Sequence, residues 1–186
     1  MSDGSRLHVV NEQGEVLRDE LRETIHRTGL LHREVHVYFI TPEGLIVFQH
    51  RAPDKDTYPD LLDVAVGGHI EIGDDSIATA VKEVKEETGL DVTANELVFL
   101  GKARSSATDA RTGMINNVID TRYGYLYTGD VRDLEPEPEK IIGFESWSLT
   151  QLKQLSEVEK QRFVPLLLTE EYLNLMSALA DKVAPD

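Results

Sequence analysis

The sequence predicts an α/β layered domain with a mixed sheet, and three observations carry that prediction. Short β-rich runs recur from Leu7 onward, one well-capped amphipathic helix interrupts them, and further helical stretches close the chain. The 186 residues suit a single domain, and neither repeats, low-complexity tracts nor a linker divides them. Hydrophobic residues make up 40% and charged residues 28%, a globular balance rather than a disordered one.

In order, Leu7 to Leu17 reads as two short strands around Glu12-Gln13-Gly14. Leu21 to Arg27 reads as a short helix stopped by Gly29. Val35 to Ile40 and Leu45 to His50 are β-rich runs joined by Thr41-Pro42-Glu43-Gly44, a hairpin signal. Leu62 to Val66 is a short apolar strand that runs into Gly67-Gly68. Asp74 to Gly89 is the clearest helix: Asp74, Asp75 and Ser76 offer capping oxygens, and Gly89 supplies the stop. Leu97 to Ala103, Val118 to Leu126 and Ile142 to Trp147 read as strands. Thr150 to Leu155 and Val164 to Val183 read as helices. Between them Asp130 to Glu139, with its Pro-Glu alternation, reads as an extended loop.

Composition excludes several function classes. There is no cysteine, so disulfides, thiolate metal sites and cysteine nucleophiles are absent. A net charge of −15 argues against broad binding to a nucleic acid backbone. No apolar run approaches a membrane span, and the start lacks a signal-peptide core, so the cytoplasm is the expected location. There is no P-loop, dinucleotide fingerprint or G-x-S-x-G elbow, and Asp109 to Asp120 has Arg111 and Gly113 where a calcium loop needs ligands.

The acid is unevenly spread. Residues 63–91 hold eight acidic side chains against Lys82 and Lys85, a local charge of −6. Like charges on ordered structure call for a counterion. On the helix, Glu83, Glu86 and Glu87 stand at i, i+3 and i+4 and share one arc about 100° wide. Ile77, Ala80, Val81 and Val84 form the neighbouring apolar face, so the helix can lie on a sheet with its carboxylates beside the contact. Such an arc suits a hard divalent cation. Gly67 and Gly68 before the helix permit close approach of backbone to a ligand.

Gly68-x5-Asp74-x7-Lys82-Glu83-Val84-x-Glu86-Glu87-x-Gly89-Leu90 resembles the signature box of the Nudix hydrolases. Seven of its nine specified positions match; Asp74 stands where the family has Glu, and Lys82 where it has Arg. The resemblance implies an α/β/α sandwich spanning residues 1–186, with an N-terminal hairpin and short helix (1–30), the box (68–90) and C-terminal helices (150–186). It implies Mg²⁺ or Mn²⁺ held by Glu83, Glu86, Glu87 and Gly68, with Asp74 and Lys82 supporting the box. The implied reaction is hydrolysis of a phosphoanhydride in a nucleoside diphosphate derivative or similar small organic diphosphate. Glu86, Glu87, Glu139 and Glu145 are the candidates for general base, Glu145 because an acid ahead of a tryptophan resembles a pattern in many members.

Outside the box, His32-Arg33, His50-Arg51-Ala52-Pro53-Asp54-Lys55, Tyr58-Pro59 and Val66-Gly67-Gly68-His69 resemble isopentenyl-diphosphate isomerases and the hydrolases related to them. That resemblance makes Arg51 and Lys55, with Gly68, the expected grip on a diphosphate. The isomerases bind metal through histidines; His32 and His69 match those positions and His26 is displaced by one, and here they are read as loop-packing residues. Isomerase activity is not expected, because the acid/base cysteine of that branch is Gly67 here. The alternative to a hydrolase is a catalytically quiet Nudix domain that binds a nucleotide or partner. The expected partner is a small-molecule diphosphate, neither a nucleic acid polymer nor a membrane. The apolar helix Tyr172 to Val183 could serve a homodimer.

Overall fold

A computed structural model describes residues 4–55 and 57–183, excluding the side chain of Ala180. Strands β1 (Arg6–Val10) and β2 (Val16–Leu21) form the N-terminal hairpin, followed by helix α1 (Arg22–Thr28), which stops at Gly29 in the left-handed conformation. Then come β3 (His32–Ile40), β4 (Leu45–Arg51), β5 (Leu62–Val64) and β6 (Val66–His69). Helix α2 (Ser76–Thr88) carries the box, and the long hairpin β7 (Val98–Thr108) and β8 (Ile115–Leu126) follows. The chain ends with β9 (Ile141–Ser148), α3 (Leu149–Lys153), α4 (Glu157–Lys160) and α5 (Glu170–Val183).

The main sheet is mixed: β5-β4-β3-β8-β7, with β3 and β8 parallel and the other pairs antiparallel. β6 pairs with the first half of β3, and β9 pairs with β4. Period-two alternation along β3 sets the layers. Val35, Val37 and Phe39 pack under α2 with Ala80 and Val84. Tyr38 and Ile40 face the other way, into a core with Tyr172, Met176, Leu179 and Val183 of α5. The apolar stripe of α5 is therefore spent inside its own chain. On this same α5-facing side of β3, positions 32, 34 and 36 are His, Glu and His, so one end of a core face becomes polar.

Three local expectations change. The single strand expected over Leu62 to Val66 divides into β5 and β6, because the chain leaves β4 after Val64 and pairs with β3 from Val66. The continuous helix expected from Val164 is a 3₁₀ turn (Pro165–Leu168) followed by α5, and Thr169 between them has extended backbone. The short α4, not foreseen, is nucleated by a reciprocal cap between Ser156 and Glu159.

Candidate active site

Helix α2 begins where the Asp75 side chain accepts from the Ala78 N–H (2.8 Å) and stops at Gly89 in the left-handed conformation. Its two inner glutamates meet the glycine strand β6. A Cβ at Gly68 would fall 2.3 Å from Glu83 Cδ, so any larger residue there would push the Glu83 carboxylate from its place. Glu87, only 5% exposed, accepts from Gly67 N–H and from the Gln49 side-chain amide, both at 3.1 Å. Burial, aided by Glu86, pushes the Glu83 carboxyl up to about 7. Burial and the Glu83 charge push Glu87 up to about 8, against the Gly67 N–H, Lys55 and Arg51. Two carboxyls this close to neutral pH would gain from a cation between them. Glu86 is exposed on the outer side of the same arc. Asp74 is exposed, with its N–H in a turn to the Glu71 carbonyl (3.2 Å). Lys82 reaches back to Glu71 at 3.4 Å, tying the helix to the preceding loop.

Because residues 67 and 68 have no side chains, the sheet is open at that point, and Glu87 lines a cavity of about 120 Å³ on the α5-facing side. Opposite lies a group of imidazoles from three separate elements. His26 of α1, His32 of β3 and His69 of β6 offer ring nitrogens within 4.8 Å of one another, and His26 Nε2 lies 2.9 Å from His69 Nε2. Glu34 Oε1 lies 3.1 Å from His69 and 3.6 Å from His32. Burial, against the pull of Glu34, holds His69 well below its ordinary value. Although burial works against ionisation, His69, His32 and His36 hold the Glu34 carboxyl well below the usual range. The His32 ring is fixed from behind by its Nδ1, 3.0 Å from the Leu30 carbonyl. The structure places these histidines on a helix and two strands rather than in loops, and brings their rings together. The signal in the sequence was the alternation His32-x-Glu34-x-His36 leading into Tyr38 and Ile40, which puts ionisable groups on a core-facing edge.

His36 also lines the cavity, 3.1 Å from the buried Asp120 carboxylate, which in turn accepts from Arg122 at 2.8 Å. Burial opposes the charge, but Asp120, Glu34 and Asp63 push His36 up to about 9.

Arg51, Lys55 and Arg22 bring positive charge to the same cavity, Arg22 being a cation the sequence did not single out. The Arg51 guanidinium donates to the Thr57 carbonyl (2.9 and 3.2 Å) and to Asp63 (3.1 Å). Burial and the nearby Arg51 lower the Lys55 pKa. Among the remaining candidates, Glu145 accepts from Arg162 (2.5 Å) and from the Trp147 indole (3.2 Å), and it does not line this cavity. Glu139 is exposed at a turn with φ of 67° and likewise lies outside it. Glu137, two residues earlier and paired with Lys140 at 2.6 Å, is the acid of that loop whose charge reaches Glu83. Tyr38, Tyr123 and Tyr125, conceivable as base-stacking platforms, pack in the two cores.

The NUDIX domain family matches residues 30–167. The chain belongs to that family. An uncharacterized Nudix hydrolase of Clostridium acetobutylicum is 37% identical over 153 residues, which is 78% of this chain and 71% of the relative. Nudix hydrolase 3 of Arabidopsis thaliana is 33% identical over 84% of this chain, which spans only 18% of that longer protein. An isopentenyl-diphosphate Delta-isomerase of Serratia proteamaculans is 23% identical over 93% of this chain and 90% of its own. Among solved structures, a Deinococcus radiodurans protein superposes with a TM-score of 0.65 at 20% identity, covering 94% of this chain and 99% of the other. These likenesses make the chain a Nudix-type hydrolase with the mixed-sheet α/β fold of the family. Among the described residues, no helix is long and apolar enough to cross a membrane.

Proposed function

We propose that this Nudix domain hydrolyses the phosphoanhydride bond of a small organic diphosphate, nucleoside diphosphate derivatives included, with a divalent cation at the box. The observation that carries the reading is one cavity whose lining brings Glu87, backed by Glu83 and Gly68, together with Arg51 and Lys55. The donor set fits Mg²⁺ or Mn²⁺: Glu83, Glu87 and the Gly68 backbone supply hard oxygens on the inside, and Glu86 supplies one from the exposed side. Such an ion would neutralise charge on the phosphate oxygens and lower the pKa of a bound water. The chain's own residues do the rest. Arg51 and Lys55 grip the anion, Gly67 and Gly68 admit it to the sheet, and the hydrogen bonds from Gln49 and Gly67 aim Glu87. Glu86 and Glu87 remain the candidates for general base, and Glu137 joins them because its charge reaches Glu83, whereas Glu139 and Glu145 lie outside the cavity.

The three imidazoles are a second candidate metal centre of different character. Nitrogen donors suit zinc or cobalt better than magnesium. The absence of a cysteine and the presence of Gly67 in the cavity wall support hydrolysis over isomerisation.

The test is to incubate the protein with Mg²⁺ or Mn²⁺ and a panel of nucleoside diphosphate derivatives and simple organic diphosphates, and to measure the monophosphate products, together with free phosphate where the substrate ends in a terminal phosphate. Metal-dependent turnover of at least one compound is expected. Metal-dependent binding without turnover of any compound would favour a quiet binding domain instead.

A further inference from the structure

The loop that carries Lys55 is closed at its base by the Ala52 carbonyl, which accepts from Lys55 N–H (3.3 Å) and Asp60 N–H (3.4 Å). Between those points the backbone is strained: Tyr58 and Asp60, neither of them glycine, sit at φ of 48° and 60°. Conformations of that kind persist only where surrounding contacts over-determine them.

The contacts come from the far end of the β7–β8 hairpin. Asp109, 4% exposed, accepts through Oδ2 from the Tyr58 N–H (2.9 Å) and the Thr112 hydroxyl (2.9 Å), and through Oδ1 from the Arg111 N–H (2.9 Å). Burial alone would raise this carboxyl, yet the backbone N–H groups of Arg111 and Tyr58 and the Thr112 hydroxyl keep it below its ordinary value. Next to it, Arg111 Nη1 donates to the Pro59 carbonyl (2.9 Å). The peptide unit joining Thr57 to Tyr58 is therefore held from both sides. Its carbonyl accepts from the Arg51 guanidinium, and its N–H donates to Asp109. Asp109 does not line the cavity, whereas Arg51, Lys55, Thr57 and Tyr58 do.

We propose that Asp109 is a positioning residue for anion binding: by clasping the Thr57–Tyr58 peptide it holds the Arg51 guanidinium in the geometry that receives a diphosphate. This rests on the reading of Arg51 and Lys55 as the diphosphate grip. A planar guanidinium recognises paired phosphate oxygens only in a defined orientation, so loosening the peptide that it leans on costs affinity.

The experiment is calorimetric titration of the full chain with inorganic pyrophosphate in the presence of Mg²⁺. Arg51→Ala should weaken binding about 10-fold, the usual scale for losing a charge-assisted hydrogen bond. Asp109→Ala should weaken it about 5-fold in the native background and less than about 2-fold in the Arg51→Ala background, because it acts through Arg51. Asp109→Asn keeps a side-chain oxygen for the Tyr58 N–H and should restore most of the affinity. If Asp109→Ala fails to fold, Arg111→Ala carries the test, with about 3-fold weaker binding expected. Arg51→Ala binding as tightly as the native protein would overturn the grip itself. Weak binding by Arg51→Ala combined with native affinity in Asp109→Ala (or in Arg111→Ala where that stands in), or an equal loss in both backgrounds, would leave the grip standing and overturn the role of Asp109.

Discussion

The cavity has two walls that answer burial in opposite ways. On the oxygen wall, Glu83 and Glu87 repel each other inside the protein, and their carboxyls are pushed up to about 7 and about 8. On the nitrogen wall, Glu34 lies among three imidazoles and is held well below its usual value, and His69 well below its own. On the first wall the nearby Lys55 and Arg51 do not overcome burial and repulsion, whereas the second sets its carboxylate among imidazoles. We propose a hard cation for the oxygen wall and a borderline transition ion for the nitrogen wall. The walls differ in construction as well. One is a helix and a glycine strand within residues 66–88, and the other joins α1, β3 and β6.

That contrast can be broken experimentally. The largest effect concerns the nitrogen wall: His69→Ala should reduce Co²⁺ affinity by about 10²-fold, read from the visible absorption of the bound ion, while Mg²⁺-supported turnover falls much less. Equal loss of both would mean that the walls form one centre. A smaller effect concerns protons. The raised carboxyls of Glu83 and Glu87 stabilise the metal-free fold fully below their unfolded value near 4.5, and that contribution is lost as pH rises through about 7 and about 8. Mg²⁺ takes the place of those protons. Its addition should raise Tm by a few degrees more at pH 8.5 than at pH 6, as measured by scanning calorimetry. The same rise at both pH values would place the ion elsewhere.

The oxygen wall was legible because everything it needs is local. Capping by Asp75, the stop at Gly89 and the i, i+3, i+4 glutamates are all encoded within one helix, and the helix moves only from Asp74–Gly89 to Ser76–Thr88. The nitrogen wall has no such spacing. His26 and His69 lie 43 residues apart and meet only because β6 folds back antiparallel on β3, pairing Glu34 with His69. Asp109 was hidden for a related reason. As part of a calcium loop it fails, and its partner Tyr58 is 51 residues away. At the C-terminus, helical periodicity was readable over Val164 to Val183, but the break depended on Pro165 and Thr169, whose local geometry prevails over the pattern.

The account stands most directly on Glu87. Protein stripped of metal and resupplied with Mg²⁺ alone should hydrolyse a responsive organic diphosphate, and Glu87→Gln, folded to the same Tm within a few degrees, should be slower by at least about 10²-fold. Turnover by Glu87→Gln at the native rate would contradict the assignment of this wall as the catalytic one.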